Sequence, residues 1–269
     1  MDSKVAGPRS LRIFRFGTLS RPELRHGITG RAVALPAEGD FSFVTGPDEA
    51  TVLANRRAWC AEIGVNADRL ICARQVHGTR VDVVDTADVG RGAHSIEQAV
   101  AGADGFVTTA IGVPLAVLSA DCVPILMYDP VRHAIGAAHA GWRGTVAGIG
   151  LKLVETMVEA FGSDPADLLV GLGPSIGPCC YVVGPEVIAA WNDLGLDPAG
   201  TAVRRDADQF IFDLWQANRI GLITAGVDDD HIELAGICTS CNADTYFSRR
   251  AGRGHRGLFA SIIALDDQG

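Results

Sequence analysis

Apolar and polar positions alternate along this chain with two periods, and the switches between them mark its elements. Leu11-Arg12-Ile13-Phe14-Arg15-Phe16 alternates apolar with basic residues, as a half-buried strand does. Residues 20–38 show no period and read as loop. Gly46-Pro47-Asp48-Glu49 then reads as a helix start, with acids facing the positive end of the dipole. That helix carries Val52, Leu53, Arg56, Trp59, Cys60 and Ile63, and Gly64 is its stop. Residues 69–76 form a strand, 80–84 alternate cleanly and should pair back beside it, and 86–99 read as a surface excursion. Strand-like runs follow at 103–108, 113–118 and 134–137. From Thr145 the period turns helical through Ile149, Leu153, Val154, Met157, Val158 and Phe161 until Gly162. Leu168–Leu172 is a buried strand, 185–191 and 210–225 are helices, and 231–234 and 258–265 are strands. Strands and helices alternate without a strict βαβ rhythm, which points to a mixed-sheet α/β or α+β layered fold rather than a parallel Rossmann sheet. With no repeat or linker, residues 1–269 read as a single domain.

Two of the apolar runs end on residues that carry chemistry. The run 113–118 leads into Ser119-Ala120-Asp121-Cys122-Val123-Pro124, with Pro124 restraining the backbone just past the thiol. The run 134–137 leads into Ala138-His139-Ala140-Gly141-Trp142-Arg143-Gly144-Thr145, and the strand at 69–76 delivers His77-Gly78. His77, Cys122 and His139 would make a three-ligand site with an open fourth position, the composition of a catalytic zinc centre. The competing reading is a buried thiol with two hydrogen-bonded histidines. Asp121 is a candidate general base or orienting group. Gly141 to Thr145 opens a helix after a strand, where free N–H groups and Arg143 would suit phosphate. It lacks the Walker ending, and no Gly-x-Ser-x-Gly elbow supports serine hydrolysis.

Composition narrows the partners. A net charge of -9 over 269 residues, with pI near 5.2, excludes a phosphate-driven nucleic-acid or anionic-membrane binder. A hydrophobic share of 48% fits a compact interior, and no stretch approaches the apolar length that spans a bilayer. The odd count of 7 cysteines, two of them adjacent at Cys179-Cys180, reads as reduced cytoplasmic thiols rather than a secreted disulfide framework. His231-Ile232-Glu233 followed by Cys238-Thr239-Ser240-Cys241 superficially matches the zinc nucleobase deaminase signature, over a link too short to build its two helices. Cys238 and Cys241 could instead join Cys179 and Cys180 around a second zinc, or pack as small apolar side chains.

Gln75-Val76-His77-Gly78, Ala103-Asp104-Gly105, residues 119–124, residues 138–144 and Gly173-Pro174-Ser175-Ile176-Gly177-Pro178-Cys179-Cys180-Tyr181 resemble, in order, the motifs of the YfiH-like laccase-domain family. The resemblance implies a layered α/β/β/α sandwich with zinc on His77, Cys122 and His139. It implies substrate contacts from Gly141, Arg143, Tyr181 and Arg250, with Asp121 moving protons. It also implies purine nucleosides as substrates: adenosine, inosine and methylthioadenosine, split by phosphate at C1′, with water attacking C6 in deamination. Copper-dependent phenol oxidation, hydrolysis of a peptidoglycan-precursor amide and a non-catalytic metal-stabilised binding module are the alternatives. The oligomeric state stays open. The sequence departs from the family at residues 29–33, where Arg31 stands in a reduced Thr-Arg pattern. It departs again at Val182, where a glutamate is usual, and at Arg249, where histidine or tyrosine is usual.

Overall fold

The computed structural model describes residues 11–196, 200–252 and 256–266. Its first half contains β1 (Leu24–Ile28), α1 (Glu49–Ile63), β2 (Ile71–Arg74), β3 (Val81–Val83), β4 (Val100–Ala101), β5 (Gly105–Thr108), β6 (Leu115–Ser119) and β7 (Val123–Asp129). There follow β8 (Ala134–Ala140), α2 (Trp142–Val146), α3 (Ile149–Phe161), β9 (Leu169–Leu172), β10 (Val182–Val183) and α4 (Pro185–Asp193). The last are β11 (Ala202–Arg204), β12 (Phe210–Phe212), α5 (Leu214–Thr224), β13 (Ile232–Leu234) and β14 (Phe259–Leu265).

Two mixed sheets carry the fold, one in the order β1-β14-β6-β2-β4 and the other β13-β9-β7-β8-β5-β3. Strand alternation sorts their side chains into three apolar layers. Ile263 and Leu265 of β14 and Leu115 and Val117 of β6 face Leu126 and Tyr128 of β7 and Ile135 of β8, forming the layer between the sheets. On the other side of β14, Ala260 and Ile262 meet Trp59, Cys60 and Ile63 of α1. On the other side of β7, Ile125 and Met127 meet Leu153 and Met157 of α3, together with residues of α4 and α5. The result is the expected α/β/β/α sandwich, with a small third sheet β10-β12-β11 beside the helices. No helix among the described residues is long and apolar enough to cross a membrane.

Local rules account for most boundaries. Asp48 caps α1 by accepting from the Thr51 N–H, and Gly64 ends it in the left-handed conformation at φ 91°. Elsewhere tertiary pairing overrode the pattern. Residues 11–16 are not a strand: Phe14 makes a single bridge to Ile28, and the strand is β1, inside the stretch read as loop. There His26 turns inward and its Nε2 accepts from the Phe16 N–H at 2.9 Å, so an apparently polar position is part of the core. Burial holds that imidazole down to about 4. Residues 80–84 do not pair back on β2; β3 joins the other sheet, parallel to β5. The helix expected at 210–225 begins only at Leu214, because Phe210–Phe212 pairs with β10 and β11. Pro124 does not end a strand but lies inside β7 opposite His139. Its carbonyl points away from β8 to accept from Gly173, so the β7–β8 ladder never calls for the missing N–H.

Trp59 is fully buried and its indole donates to the Gly39 carbonyl at 2.9 Å, joining α1 to the loop beneath it. Trp59→Ala is expected to cost about 3–5 kcal/mol in denaturant-induced unfolding. A loss under about 1 kcal/mol would show that α1 is anchored elsewhere.

Candidate metal centre

The three candidate ligands arrive on three different segments, two at central strands of the second sheet and one on a loop of the first. His139 lies in β8, Cys122 immediately precedes β7, and the register pairs Val123 with Ala140, which sets the thiol next to the histidine strand. His77 comes from the loop after β2. Nitrogen and sulfur donors of His77, Cys122 and His139 all lie within 4.8 Å of one another, and the two imidazole rings meet edge to face at 83°, centroids 4.8 Å apart. Gly141 permits this approach. A Cβ there would meet the His77 ring at 2.8 Å and the Cys122 sulfur at 3.0 Å, so this glycine makes room for the candidate ligands.

Asp104 organises the group. Its carboxylate is wholly buried and accepts from three successive backbone N–H groups, those of Val76, His77 and Gly78, at 3.2, 3.0 and 2.7 Å. The same carboxylate lies 3.0 Å from His139 Nδ1. An N–H nest of this kind offsets the cost of burying a charge. It also holds His77 at φ 62°, a left-handed conformation that a residue with a Cβ adopts only under constraint. By fixing the Nδ1–H of His139, Asp104 leaves Nε2 as the donor for a metal. Asp104 was visible in the sequence as Ala103-Asp104-Gly105, a lone acid opening a buried strand, but nothing there assigned it a role.

Cys122 and His139 line a cavity of about 230 Å³ together with His77, Phe43, Leu118 and Ala120. The Gln75 side chain closes one wall by pairing with both backbone groups of Leu118 at 2.8 and 2.9 Å, standing in for the next rung of the β2–β6 ladder. Arg56 is fixed by the carbonyls of Phe41, Gly92 and Ala93. Arg249 also lines the cavity, as does Ser119, whose buried Oγ has no hydrogen-bond partner among the described residues.

Residues 25–266 match the family described as multi-copper polyphenol oxidoreductase laccase. The chain belongs to this family. It is 39% identical over 254 residues to purine nucleoside phosphorylase YlmD of Geobacillus stearothermophilus, covering 94% of this chain and 92% of that one. It is 34% identical over 220 residues to adenosine deaminase RL5 from an unknown prokaryotic organism, covering 80% of this chain and 84% of that one. The crystal structure of YlmD from Geobacillus stearothermophilus superposes with a TM-score of 0.89 at 33% identity, over 97% of this chain and 98% of that one.

Within this laccase-family chain the other expected contacts fall outside the cavity. Asp121, at φ 84°, does not line the cavity that Cys122 lines. It accepts from Thr239 Oγ1 at 2.7 Å and from the Arg250 N–H at 2.8 Å, so it ties the 239 and 250 segments together behind the site. Arg250 stacks over Tyr181 at 5.2 Å and donates to the Val182 carbonyl, while Arg143 is exposed and stacks over Trp142 at 4.3 Å. Arg31 is paired with Glu38 at 2.7 Å and does not reach the cavity. The deaminase-like pattern does not assemble: Glu233 accepts from the Gly17 and Thr18 N–H groups instead.

The donor set fits one borderline-soft ion such as zinc: two imidazoles, one thiolate and, among the described residues, no fourth protein donor. Burial pushes the Cys122 thiol up, but the charge of His139 and hydrogen bonds from both imidazoles outweigh it and bring the thiol down to about 6. For His139 burial works downward, and the Cys122 charge and Asp104 raise it to about 9. In metal-free protein the lowered thiol contributes stability above its ordinary range and loses it as pH falls through about 6. The raised imidazole contributes below its ordinary value and loses it as pH rises through about 9. Between those limits the pair stands as thiolate and imidazolium. The thiolate absorbance of metal-free protein, taken as the difference between wild type and Cys122→Ala, should therefore rise with a midpoint near 6. A midpoint at the ordinary thiol value of about 8.5 would contradict the pairing.

Proposed function

We propose that this chain is a zinc-dependent purine nucleoside phosphorylase with adenosine deaminase activity, working as one catalytic domain in the cytoplasm on adenosine, inosine and methylthioadenosine. The observation that carries this reading is the open-cornered triad in the wall of a largely apolar cavity. A site with three protein ligands and one free position is built to act on a molecule, whereas a structural site is closed. This separates the proposal from a non-catalytic module. Among the described residues no further histidine joins the triad, which leaves a multicopper cluster without donors.

His77, Cys122 and His139 would hold the zinc, and zinc, when bound, supplies a Lewis acid that polarises substrate or water. The chain's own side chains do the rest. Asp104 keeps His139 in the tautomer that presents Nε2. Phe43, Leu118 and Ala120 form an apolar wall for the base and exclude bulk water. Ser119 Oγ offers the hydrogen bond that a nucleoside's polar edge requires in such a wall. Arg249 brings positive charge to the cavity and takes the phosphate role expected of Arg143, placing a phosphate oxygen for attack on C1′ as the C1′–N9 bond breaks. In deamination a water oxygen bonds to C6 and ammonia leaves. Asp121, bonded on both oxygens, acts as a positioning residue rather than as the proton carrier.

Zinc-loaded protein given adenosine and phosphate should yield adenine and ribose 1-phosphate, and without phosphate should yield inosine. Arg249→Ala should raise the KM for phosphate about 10- to 100-fold with zinc content unchanged, the effect of losing one charge-assisted contact. Absence of all products from zinc-loaded enzyme would reject the activity, and an unchanged phosphate KM would reject the role of Arg249.

A further inference from the structure

A second group of soft donors lies on the far side of Asp121. Cys179 and Cys180, in the glycine- and proline-rich loop after β9, converge with Cys238 and Cys241, in the turn after β13, and all four sulfurs lie within 4.8 Å of one another. The Cys241 sulfur is 3.6 Å from that of Cys179 and 3.5 Å from that of Cys180. A tetrahedron with zinc–sulfur bonds of about 2.3 Å has sulfur–sulfur edges of about 3.8 Å, whereas a disulfide bond is about 2.05 Å long. The two edges at Cys241, 3.6 and 3.5 Å, are close to that of the tetrahedron and far from a disulfide. All four are free thiols. Cys238 is buried in the apolar core with Cys180 packed against it, while Cys179 and Cys241 are exposed, so the group stands at the rim of the core.

We propose that Cys179, Cys180, Cys238 and Cys241 bind a structural zinc ion, separate from the ion on the His77–Cys122–His139 triad. Four thiolates complete the tetrahedron and leave no position for substrate, which distinguishes this closed site from the open one. The two thiol-bearing segments are brought together by backbone pairing, with the Ser175 N–H donating to the Ile237 carbonyl and the Thr239 N–H to the Ser175 carbonyl, at 3.1 and 3.0 Å. Gly177 admits the approach, since a Cβ there would press on Trp215 at 2.7 Å and on Cys238 at 3.2 Å.

The ion would clip together residues 61 and 62 positions apart in sequence, and the clip bears on the catalytic side. Thr239, inside the Cys238–Cys241 turn, is the hydroxyl that holds Asp121, and Tyr181 follows Cys180 directly. The second zinc therefore fixes the loops behind Cys122 without facing the cavity.

Zinc content and the zinc X-ray absorption spectrum, measured on purified protein kept reduced, test this without reading activity. Wild type should hold about two zinc ions per chain, and Cys122→Ala about one, in an all-sulfur coordination sphere. The double variant C238S/C241S should also retain about one, bound by two nitrogens and one sulfur. Cys122→Ala leaves the second cluster intact, so the outcome does not depend on whether the double variant folds. Wild-type zinc with no all-sulfur component, or nitrogen ligands around the ion left in Cys122→Ala, would overturn the proposal. Either result leaves the nucleoside assay free to succeed or fail on its own.

Discussion

One buried carboxylate carries the arrangement of the site. Asp104 opens β5 at the seam between the sheets, beyond the reach of water, and it can be ionised there only because three N–H groups and an imidazole surround it. Those same contacts shape the 76–78 turn and orient His139. Two of the three candidate ligands thus take their positions from a single anion, and the third, Cys122, takes its position from the β7–β8 register. Burial would otherwise work against both the thiolate and the imidazolium; mutual attraction and Asp104 reverse that tendency.

The layered fold makes this possible by keeping the sheets' common end open. The apolar layers are complete along β7, β8 and β14, while the loops after β2 and β6 meet the end of β8 where the sandwich stops. Left-handed backbone at His77 and Asp121 concentrates there, on residues whose side chains would point elsewhere in regular strands. Cys122 lines the cavity while Asp121 accepts from Thr239 and Arg250, so one tight turn carries both a candidate ligand and the anchor for the 239 and 250 segments. Beyond that anchor lies the four-cysteine cluster, and the two proposed metal positions share this turn as their common support.

The strongly periodic segments were legible before any coordinates. α1 with its Asp48 cap and Gly64 stop, α3, β9 and β14 follow from apolar spacing and capping chemistry alone. The candidate triad was legible as residue types at the ends of apolar runs, which the fold brings together, and the order of motifs pointed to the family. What the pattern hid was set by tertiary pairing. β1 carries a buried histidine that breaks its alternation, β7 carries a proline that normally ends a strand, and Phe210–Phe212 resembles the first turn of the helix it precedes. Asp104 was hidden for a different reason, because an acid next to a glycine usually signals a turn and nothing local says that it is buried. The stacking of Arg143 on Trp142 and of Arg250 on Tyr181 was likewise not legible, since no local pattern announces either contact.

The most direct measurement is the zinc affinity of the triad in Asp104→Asn, by competition with a chromophoric chelator in protein whose fold is verified by circular dichroism. The amide preserves size but loses the charge that the 76–78 nest and His139 share. The account predicts binding weakened about 10- to 100-fold, the usual effect of removing a metal ligand's carboxylate partner. Wild-type affinity in a folded Asp104→Asn protein would show that the ligands are held in place without Asp104, and would contradict it.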